Sequence, residues 1–171
     1  MKSYFSISAL LLAGWLVLSC SISYKFNQSA IDYTKTKSIS IQDFPNIAPS
    51  VYAPLAQQFT EALRDRYTRQ TKLKIIPNGG DLHLEGEITG YNLTPLAVTG
   101  SNMLASQTRL TITIRVRFTN KADPEKDFER TFSAKQEFSN DSLFDSIQDE
   151  LCTAITKEII DLIFNDTVAT W

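Results

Sequence analysis

Hydrophobic and polar residues alternate most clearly in the stretch RLTITIRVRF, residues 109–118. Successive side chains of a β-strand point to opposite faces of the sheet, so the pattern predicts a strand with one apolar and one polar face. The apolar positions are Leu110, Ile112, Ile114, Val116 and Phe118. The polar face carries three arginines, Arg109, Arg115 and Arg117, among threonines.

The next stretch, NKADPEKD at residues 120–127, predicts a turn into a second strand from Phe128 to Phe138. With the turn centred in this stretch, Phe118 faces Phe128 on the apolar side and Arg117 faces Glu129 on the polar side. A slip of one residue would break both pairings at once. The two strands are therefore predicted to form a hairpin in this register.

Two helices and three more strands complete the prediction. Apolar residues recur at helical spacing from Pro54 to about Thr68, and again after Asn140-Asp141-Ser142, whose side chains would cap the second helix. The apolar stripe of that helix is Leu143, Ile147, Leu151, Ala154, Ile155, Ile159, Leu162 and Ile163. Strands are predicted at 38–44, 73–76 and 82–90, the last with Ile88 and Gly90 on its apolar face and preceded by a tight turn at Asn78-Gly79.

The element order is β-α-β-β-β-β-α. It predicts an α+β fold, a single domain in which a small, mostly antiparallel or mixed sheet carries two helices on one face. The segment from Asn92 to about Ser106 is predicted to be a long loop with several apolar residues and no charge. Such a loop either covers the edge of its own core or contacts a partner.

The N-terminus has the pattern of a lipoprotein signal. Lys2 precedes an apolar run from Phe5 to Leu18, which has the length of a secretory signal and is short for a membrane span. The run ends in Val17-Leu18-Ser19-Cys20, which is similar to the bacterial lipobox. The similarity implies that Cys20 is acylated and becomes the new N-terminus. The alternative is an ordinary signal peptide cut elsewhere, with Cys20 left as a thiol.

Acylation of Cys20 divides the chain into a cleaved signal peptide at 1–19, an anchored leader at 20–37 and a folded domain at 38–171. Several acyl chains would hold the protein on a membrane almost permanently. The residues directly after Cys20 lack the acids that some surface-exported lipoproteins carry there, so we expect the protein to face the periplasm. The second cysteine, Cys152, is expected to act as a small apolar core residue.

Composition and charge exclude several functions. A formal net charge of −2 offers no basic field for nucleic acid. The single histidine, His83, lies beside Glu85 and Glu87 on a strand face, which is too few ligands for zinc, and no nucleophile–histidine–acid set or phosphate loop emerges. We therefore predict no enzymatic activity, no metal and no cofactor, and interpret the chain as a binding or assembly protein.

The polar face of the hairpin offers a candidate site for anions, formed by Arg109, Arg115, Arg117 and Lys135. Two of these cations face glutamates across the hairpin, whereas Arg115 and Lys135 face threonines and are expected to lack an acid. An arginine among hydroxyl groups is well suited to hold a phosphate or carboxylate. The alternative is a solvated strand face with weak ion pairs.

The chain also resembles a known family over most of its length. The stretches CSISYKFNQSAIDYTKTKSISIQDFPN, PLAQQFTEALRDRYTRQTKL, DLHLEGEITGYNLTPLAV and SQTRLTITIRVRFTN, and the closing IFNDTVATW, carry the likeness. They resemble the lipopolysaccharide-assembly lipoproteins of the LptE family, in the form found in Bacteroidetes.

This resemblance implies a small sheet with two helices, tethered to the outer membrane and facing the periplasm and a barrel lumen. Its expected role is to plug the β-barrel LptD, help that barrel assemble and assist the passage of lipopolysaccharide. The implied partners are an LptD-type barrel, lipopolysaccharide and the membrane through the acyl chains. The alternative is a free-standing periplasmic lipoprotein that binds a hydrophobic or anionic ligand.

Overall fold

The computed structural model describes residues 31–50, 52–96, 107–141 and 143–168. In these ranges the chain forms five strands and two α-helices in the predicted order β-α-β-β-β-β-α. The strands are β1 (Ser38–Ile41), β2 (Lys74–Ile75), β3 (Leu82–Leu96), β4 (Gln107–Asn120) and β5 (Phe128–Ser139), and the helices are α1 (Leu55–Gln70) and α2 (Phe144–Thr167).

All five strands form one mixed sheet in the order β2-β1-β3-β4-β5. The central strand β3 pairs in parallel with β1 and antiparallel with β4, and β4 pairs antiparallel with β5. Both helices cover the apolar face, where the aliphatic side chains of β3 and β4 are buried. The predicted α+β class and the single sheet with two helices are therefore confirmed.

The predicted hairpin register is confirmed residue by residue. Phe118 lies opposite Phe128, and Arg117 lies opposite Glu129. The predicted turn contains a short 3-10 helix, Pro124–Lys126. Apolar burial on one face and charge pairing on the other favour the same register, which explains why the sequence pattern was sufficient here.

Strand β3 differs from the prediction because it contains a bulge. Ile88 pairs with Ile114, and the next paired residue, Gly90, faces Thr113, so Thr89 is an extra residue without a partner on β4. The extra residue reverses the alternation. Gly90 therefore turns to the polar face, and Tyr91, opposite Ile112, is buried on the apolar face.

The predicted loop between residues 92 and 106 is wrong in its first part. Strand β3 continues to Leu96, and the residues beyond Asn92 pair with β4 back to Gln107. The remainder of that loop, 97–106, lies outside the described residues, as do the signal peptide and the leader up to residue 30.

The first strand is shorter than predicted, because β1 ends at Ile41 and not at Phe44. The chain still follows β3 beyond that point. The N–H of Gln42 donates to the Leu84 carbonyl at 2.9 Å, and the N–H of Ile47 donates to the Ile88 carbonyl at 2.9 Å. A proline at position 45 prevents a regular ladder, since it has no N–H to donate.

Helix α2 is rotated relative to the predicted stripe. Ile155, Ile159 and Ile163 are buried as predicted, but Leu143 is 81% exposed and Leu162 is 41% exposed, and Ala154 is exposed too. Their place is taken by Cys152, Thr156, Ile160 and Phe164. The rotation follows from a second contact, since α2 packs on α1 through an edge-to-face pair of Phe164 with Tyr67, 5.3 Å between ring centroids. The predicted side-chain cap is also absent: Leu143 is the N-cap of α2 and makes no capping hydrogen bond.

One close approach depends on glycine. Gly86 lies on the apolar face of β3, where an added Cβ would come within 2.2 Å of the Arg115 carbonyl oxygen and 2.5 Å of the Phe44 ring. The missing side chain lets the segment after β1 lie directly on the sheet. Neither described helix is long and apolar enough to cross a membrane.

Candidate anion-binding and partner-binding surfaces

The sheet face opposite the helices carries the four cations that the sequence singled out. Arg109 forms a forked contact with Glu137, at 2.7 and 3.0 Å from its two nitrogens to Oε1. Arg117 contacts Glu129 at 3.0 Å and also approaches Glu85 of β3 at 3.4 Å. The two predicted ion pairs are thus confirmed, and Arg117 lies between two carboxylates.

The prediction that Arg115 lacks a facing acid is wrong. On β3 the residue opposite Arg115 is Glu87, and the two side chains form an ion pair. The hydrogen bond to Glu87 and the negative charge of that group raise the pKa of Arg115. The prediction considered only the hairpin partner, Thr131, whereas β4 has neighbours on both sides. The alternation of β3 already placed Glu87 on the polar face, but it did not give the register of β3 against β4.

Lys135 keeps the environment that was predicted for it. It lies on β5 opposite Thr111, is exposed, and forms no ion pair with any described residue. Thr113 and Ser133 lie on the same face, with their hydroxyl oxygens 3.4 Å apart. Lys135 is therefore the cation of this face whose charge is least compensated.

A shallow cavity of about 540 Å³ lies on the same face near the middle of β3 and β4. Its charged lining consists of Asp43, Glu85, Glu87, Glu129, Arg115 and Arg117. Four carboxylates thus surround two guanidinium groups, so the local charge is negative. An added anion would be repelled here, and the cations that line this cavity are already neutralised.

His83 lies between two polar side chains in an arrangement that superficially resembles a catalytic triad. Its Nδ1 is 2.7 Å from the Ser40 hydroxyl, and its Nε2 is 3.3 Å from a Glu85 carboxylate oxygen. Ser40, however, is completely buried between strands. A nucleophile must reach a substrate carbonyl, so this arrangement ties strands together and offers no reactive hydroxyl.

The described residues contain no group of three or more metal-ligating side chains. Cys152 is a free, fully buried thiol, as expected for a core residue, and its burial raises the pKa of the thiol. It lies 3.9 Å from the Tyr91 hydroxyl, which also accepts a hydrogen bond from Gln148 at 2.7 Å. Burial raises the pKa of Tyr91 to about 12, so the tyrosine is neutral in this network. Cys20, the predicted lipidation site, lies outside the described residues.

The comparison with protein families gives a match over residues 36–167 to the family LptE, described as lipopolysaccharide assembly. The matched range includes every described strand and helix. The chain belongs to the LptE family. The family's role is lipopolysaccharide assembly, and that role is not enzymatic. No curated protein matches the chain in sequence.

Solved structures share its fold at low sequence identity. A minor lipoprotein from Acinetobacter baumannii matches with a TM-score of 0.50 and 13% identity, covering 75% of this chain and 89% of that chain. A hypothetical protein from Chlamydia trachomatis matches with a TM-score of 0.50 and 14% identity, covering 76% of this chain and 96% of that chain. The rare lipoprotein B from Shewanella oneidensis has a TM-score of 0.47 and 11% identity, with 76% and 90% covered. The first two likenesses show the fold alone.

Proposed function

We propose that this LptE-family protein is anchored to the outer membrane by an acylated Cys20 and plugs an LptD-type β-barrel. In that position it would help the barrel assemble and assist the transport of lipopolysaccharide to the cell surface. The observation that carries this proposal is the family match over residues 36–167, which includes every described strand and helix. The Bacteroidetes form of the family stays a prediction.

The polar sheet face supports this role on physical grounds. A protein inside a barrel meets a wet, polar lumen, so its surface must be polar without carrying large uncompensated charge. Here the arginines of β4 are matched by glutamates on the strands at either side. Apart from Lys135, the cations that the sequence singled out on this face are paired, so most of the face can approach a barrel wall without desolvating isolated charges.

Four cations were predicted to contact lipopolysaccharide, Arg109, Arg115, Arg117 and Lys135, and the proposal keeps only Lys135 as a direct contact on the sheet face. Ion pairs already occupy the three arginines. Lys135 is exposed and unpaired among the described residues, so it is the member of the set with a charge to offer to a phosphate. In the assembled complex, Lys135→Gln is therefore expected to weaken this contact more than Arg109→Gln.

The test is to extract outer membranes with detergent from cells that carry a C-terminally tagged copy, and to identify what is recovered with it. A second lipoprotein with the same tag is the control. We expect a large β-barrel in roughly stoichiometric amount with the tagged chain and none with the control. Recovery of the chain alone, at its own mass, would refute the plug and favour a free-standing periplasmic lipoprotein with a small ligand.

A further inference from the structure

The outer edge of strand β5 has no backbone partner among the described residues. The sheet order places β5 at one end, so β4 pairs with one side of it only. The pairing of β4 with β5 runs without a register shift from Phe118–Phe128 to Gln107–Ser139. Sheet edges are commonly protected by a proline or a bulge, and β5 contains neither. A long and regular edge of this kind can accept another strand.

The free backbone groups of this edge belong to the odd-numbered residues of β5. In an antiparallel ladder, opposite residues alternate between pairs that exchange hydrogen bonds and pairs that do not. The Thr113 carbonyl points toward β3, where it accepts a hydrogen bond from the Thr89 hydroxyl. The even-numbered residues of β4 therefore bond to β5, and Phe132, opposite one of them, bonds back to β4. The outward N–H and C=O groups are those of Glu129, Thr131, Ser133, Lys135 and Glu137.

The polar side chains of β5 are complementary to those of a second copy of the same strand. When two antiparallel copies cross at Phe132, Lys135 faces Glu129 of the second copy, and the two-fold axis repeats this pair. Between the two charge pairs, Thr131 faces Ser133 of the second copy. All four side chains are exposed in the single chain. Opposite charges and hydroxyl groups that face each other across strands stabilise such a ladder.

The two adjacent registers lack this complementarity. Crossing at Ser133 would place Glu129 opposite Glu137 of the second copy, so that like charges meet at both ends of the ladder. Crossing at Thr131 would carry Lys135 beyond the first residue of the other strand, and the charge pair would be lost. The charges of β5 therefore favour the register centred on Phe132 over its neighbours.

Both members of the new charge pair are able to form it. Lys135 is exposed and forms no ion pair with any described residue. Glu129 is bound to Arg117 through Oε2, at 3.0 and 3.2 Å, and its Oε1 has no contact in the described part of the chain. A lysine from a second copy would thus join the pair of Glu129 with Arg117 without displacing the arginine.

We propose that a second copy of this chain adds its β5 to this edge, antiparallel and centred on Phe132, and forms a two-fold symmetric dimer with one continuous sheet. The occupant is a second copy because the charges of β5 complement those of β5 itself. The inference goes beyond the proposed function, since it needs neither a barrel nor lipopolysaccharide. It is tested on the free chain, so its failure would leave the barrel recovery experiment unaffected.

The test is sedimentation equilibrium of the full chain, in a detergent whose density is matched by the solvent, over a wide range of protein concentration. We expect the protein mass to rise from one chain to two and to stop there, because the strand at the other edge of the sheet, β2, has only two residues. The mass of one chain at every concentration would overturn the inference. A mass that continues to rise beyond two chains would also overturn it, since a two-fold contact closes.

Three substitutions assign the dimer to β5. Ser133→Pro removes an N–H that points away from β4, so the fold should be retained and the dimer lost. Lys135→Glu places acids opposite each other twice and should weaken dimerisation by about tenfold or more. Lys72→Glu is the matched control, because it reverses the charge of an exposed lysine just before β2, at the far side of the sheet, and should change nothing.

Thermal unfolding of each variant verifies that the fold is retained, and Lys135→Glu decides alone if Ser133→Pro fails to fold. A dimer that forms unchanged in Lys135→Glu would contradict the charge pair and overturn the inference. An equal loss in Lys72→Glu would do the same, because it would show a general effect of charge and not a contact of β5.

Discussion

Asp81 joins the first strand to the centre of the sheet. One of its carboxylate oxygens accepts hydrogen bonds from the N–H of Lys37 at 2.8 Å, the N–H of Ser38 at 3.0 Å and the Ser38 hydroxyl at 2.9 Å. These contacts, with the Lys37 N–H as the largest cause, lower the pKa of Asp81 below its ordinary value of 3.8. The carboxylate thus secures the parallel pairing of β1 with β3 where β1 begins.

We predict that Asp81→Asn lowers the free energy of unfolding by about 1 kcal/mol at neutral pH, since the group is near the surface and water competes for its hydrogen bonds. The folded pKa is lowered, so the contribution is fully present above the unfolded value of 3.8 and is lost as the pH falls through the folded value. Urea unfolding measured between pH 7 and pH 2 should therefore show the difference from wild type shrinking below pH 4.

Asp43→Asn is the matched control for this measurement. Asp43 pairs with Arg64 at 2.9 Å, but its side chain is 86% exposed, and such pairs contribute little. The control should stay within about 0.5 kcal/mol of wild type. A difference for Asp81→Asn that persists unchanged to pH 2 would contradict the role assigned to its carboxylate.

At the residue scale, the sequence predicted the pairs that lie within one hairpin. Arg109 with Glu137 and Arg117 with Glu129 follow from a turn whose position is visible in the sequence. The pair of Arg115 with Glu87 links β4 to β3, and the sequence predicted the ten residues between these strands, 97–106, as part of a long loop, which does not define a register. Without that register, the sequence could not predict which acid meets Arg115. The contact between the two helices was not predicted for a similar reason, because it depends on the residues of both helices together.

At the scale of elements, the bulge at Thr89 decides which side chains of β3 reach the core. Residues before it follow the predicted alternation, and residues after it follow the opposite one. An isolated glycine inside a strand pattern suggests a bulge, and Gly90 was such a signal in this sequence. The alternation of apolar and polar residues alone could not locate the extra residue. Near the bulge, each of the two alternating sets of positions contains an apolar residue, Ile88 in one set and Tyr91 in the other.

Deletion of Thr89 is predicted to be tolerated. The deletion would give a regular ladder in which Gly90 still faces Thr113 and Tyr91 still faces Ile112. The deletion would remove the extra twist that the bulge gives the strand, and it would remove the 3.3 Å hydrogen bond that the Thr89 hydroxyl donates to the Thr113 carbonyl. We expect a decrease of less than about 2 kcal/mol in the free energy of unfolding, measured by urea denaturation.

Deletion of Glu87, two residues earlier, is the contrasting variant. It would move Ile88, which is completely buried, to the polar face opposite Arg115 and would remove the acid that pairs with that arginine. Exposure of a buried isoleucine is expected to cost about 3 kcal/mol or more. Similar losses in the two deletions would contradict the assignment of Thr89 as the extra residue.

At the scale of the whole molecule, the proposed tether at Cys20 lies outside the described domain. The described residues from Ile31 to Val168 share one continuous core, in which the two helices and the sheet face each other. In such a tethered plug, Cys20 would determine the membrane location and the domain would determine the folded structure. Substitution of Cys20 should therefore change the location, and substitution of a core residue should change the stability.

The two cysteines provide that comparison. Cys20→Ala should abolish incorporation of labelled palmitate and release the protein from the membrane fraction, while the circular dichroism spectrum of its folded domain stays unchanged. Cys152→Ala should keep the label and the membrane location but lose about 1 kcal/mol of stability, because a fully buried side chain is shortened. Label retained in Cys20→Ala would contradict acylation at that residue. Label lost in Cys152→Ala would mean that the lipid depends on the fold, and the separation of tether from domain would be refuted.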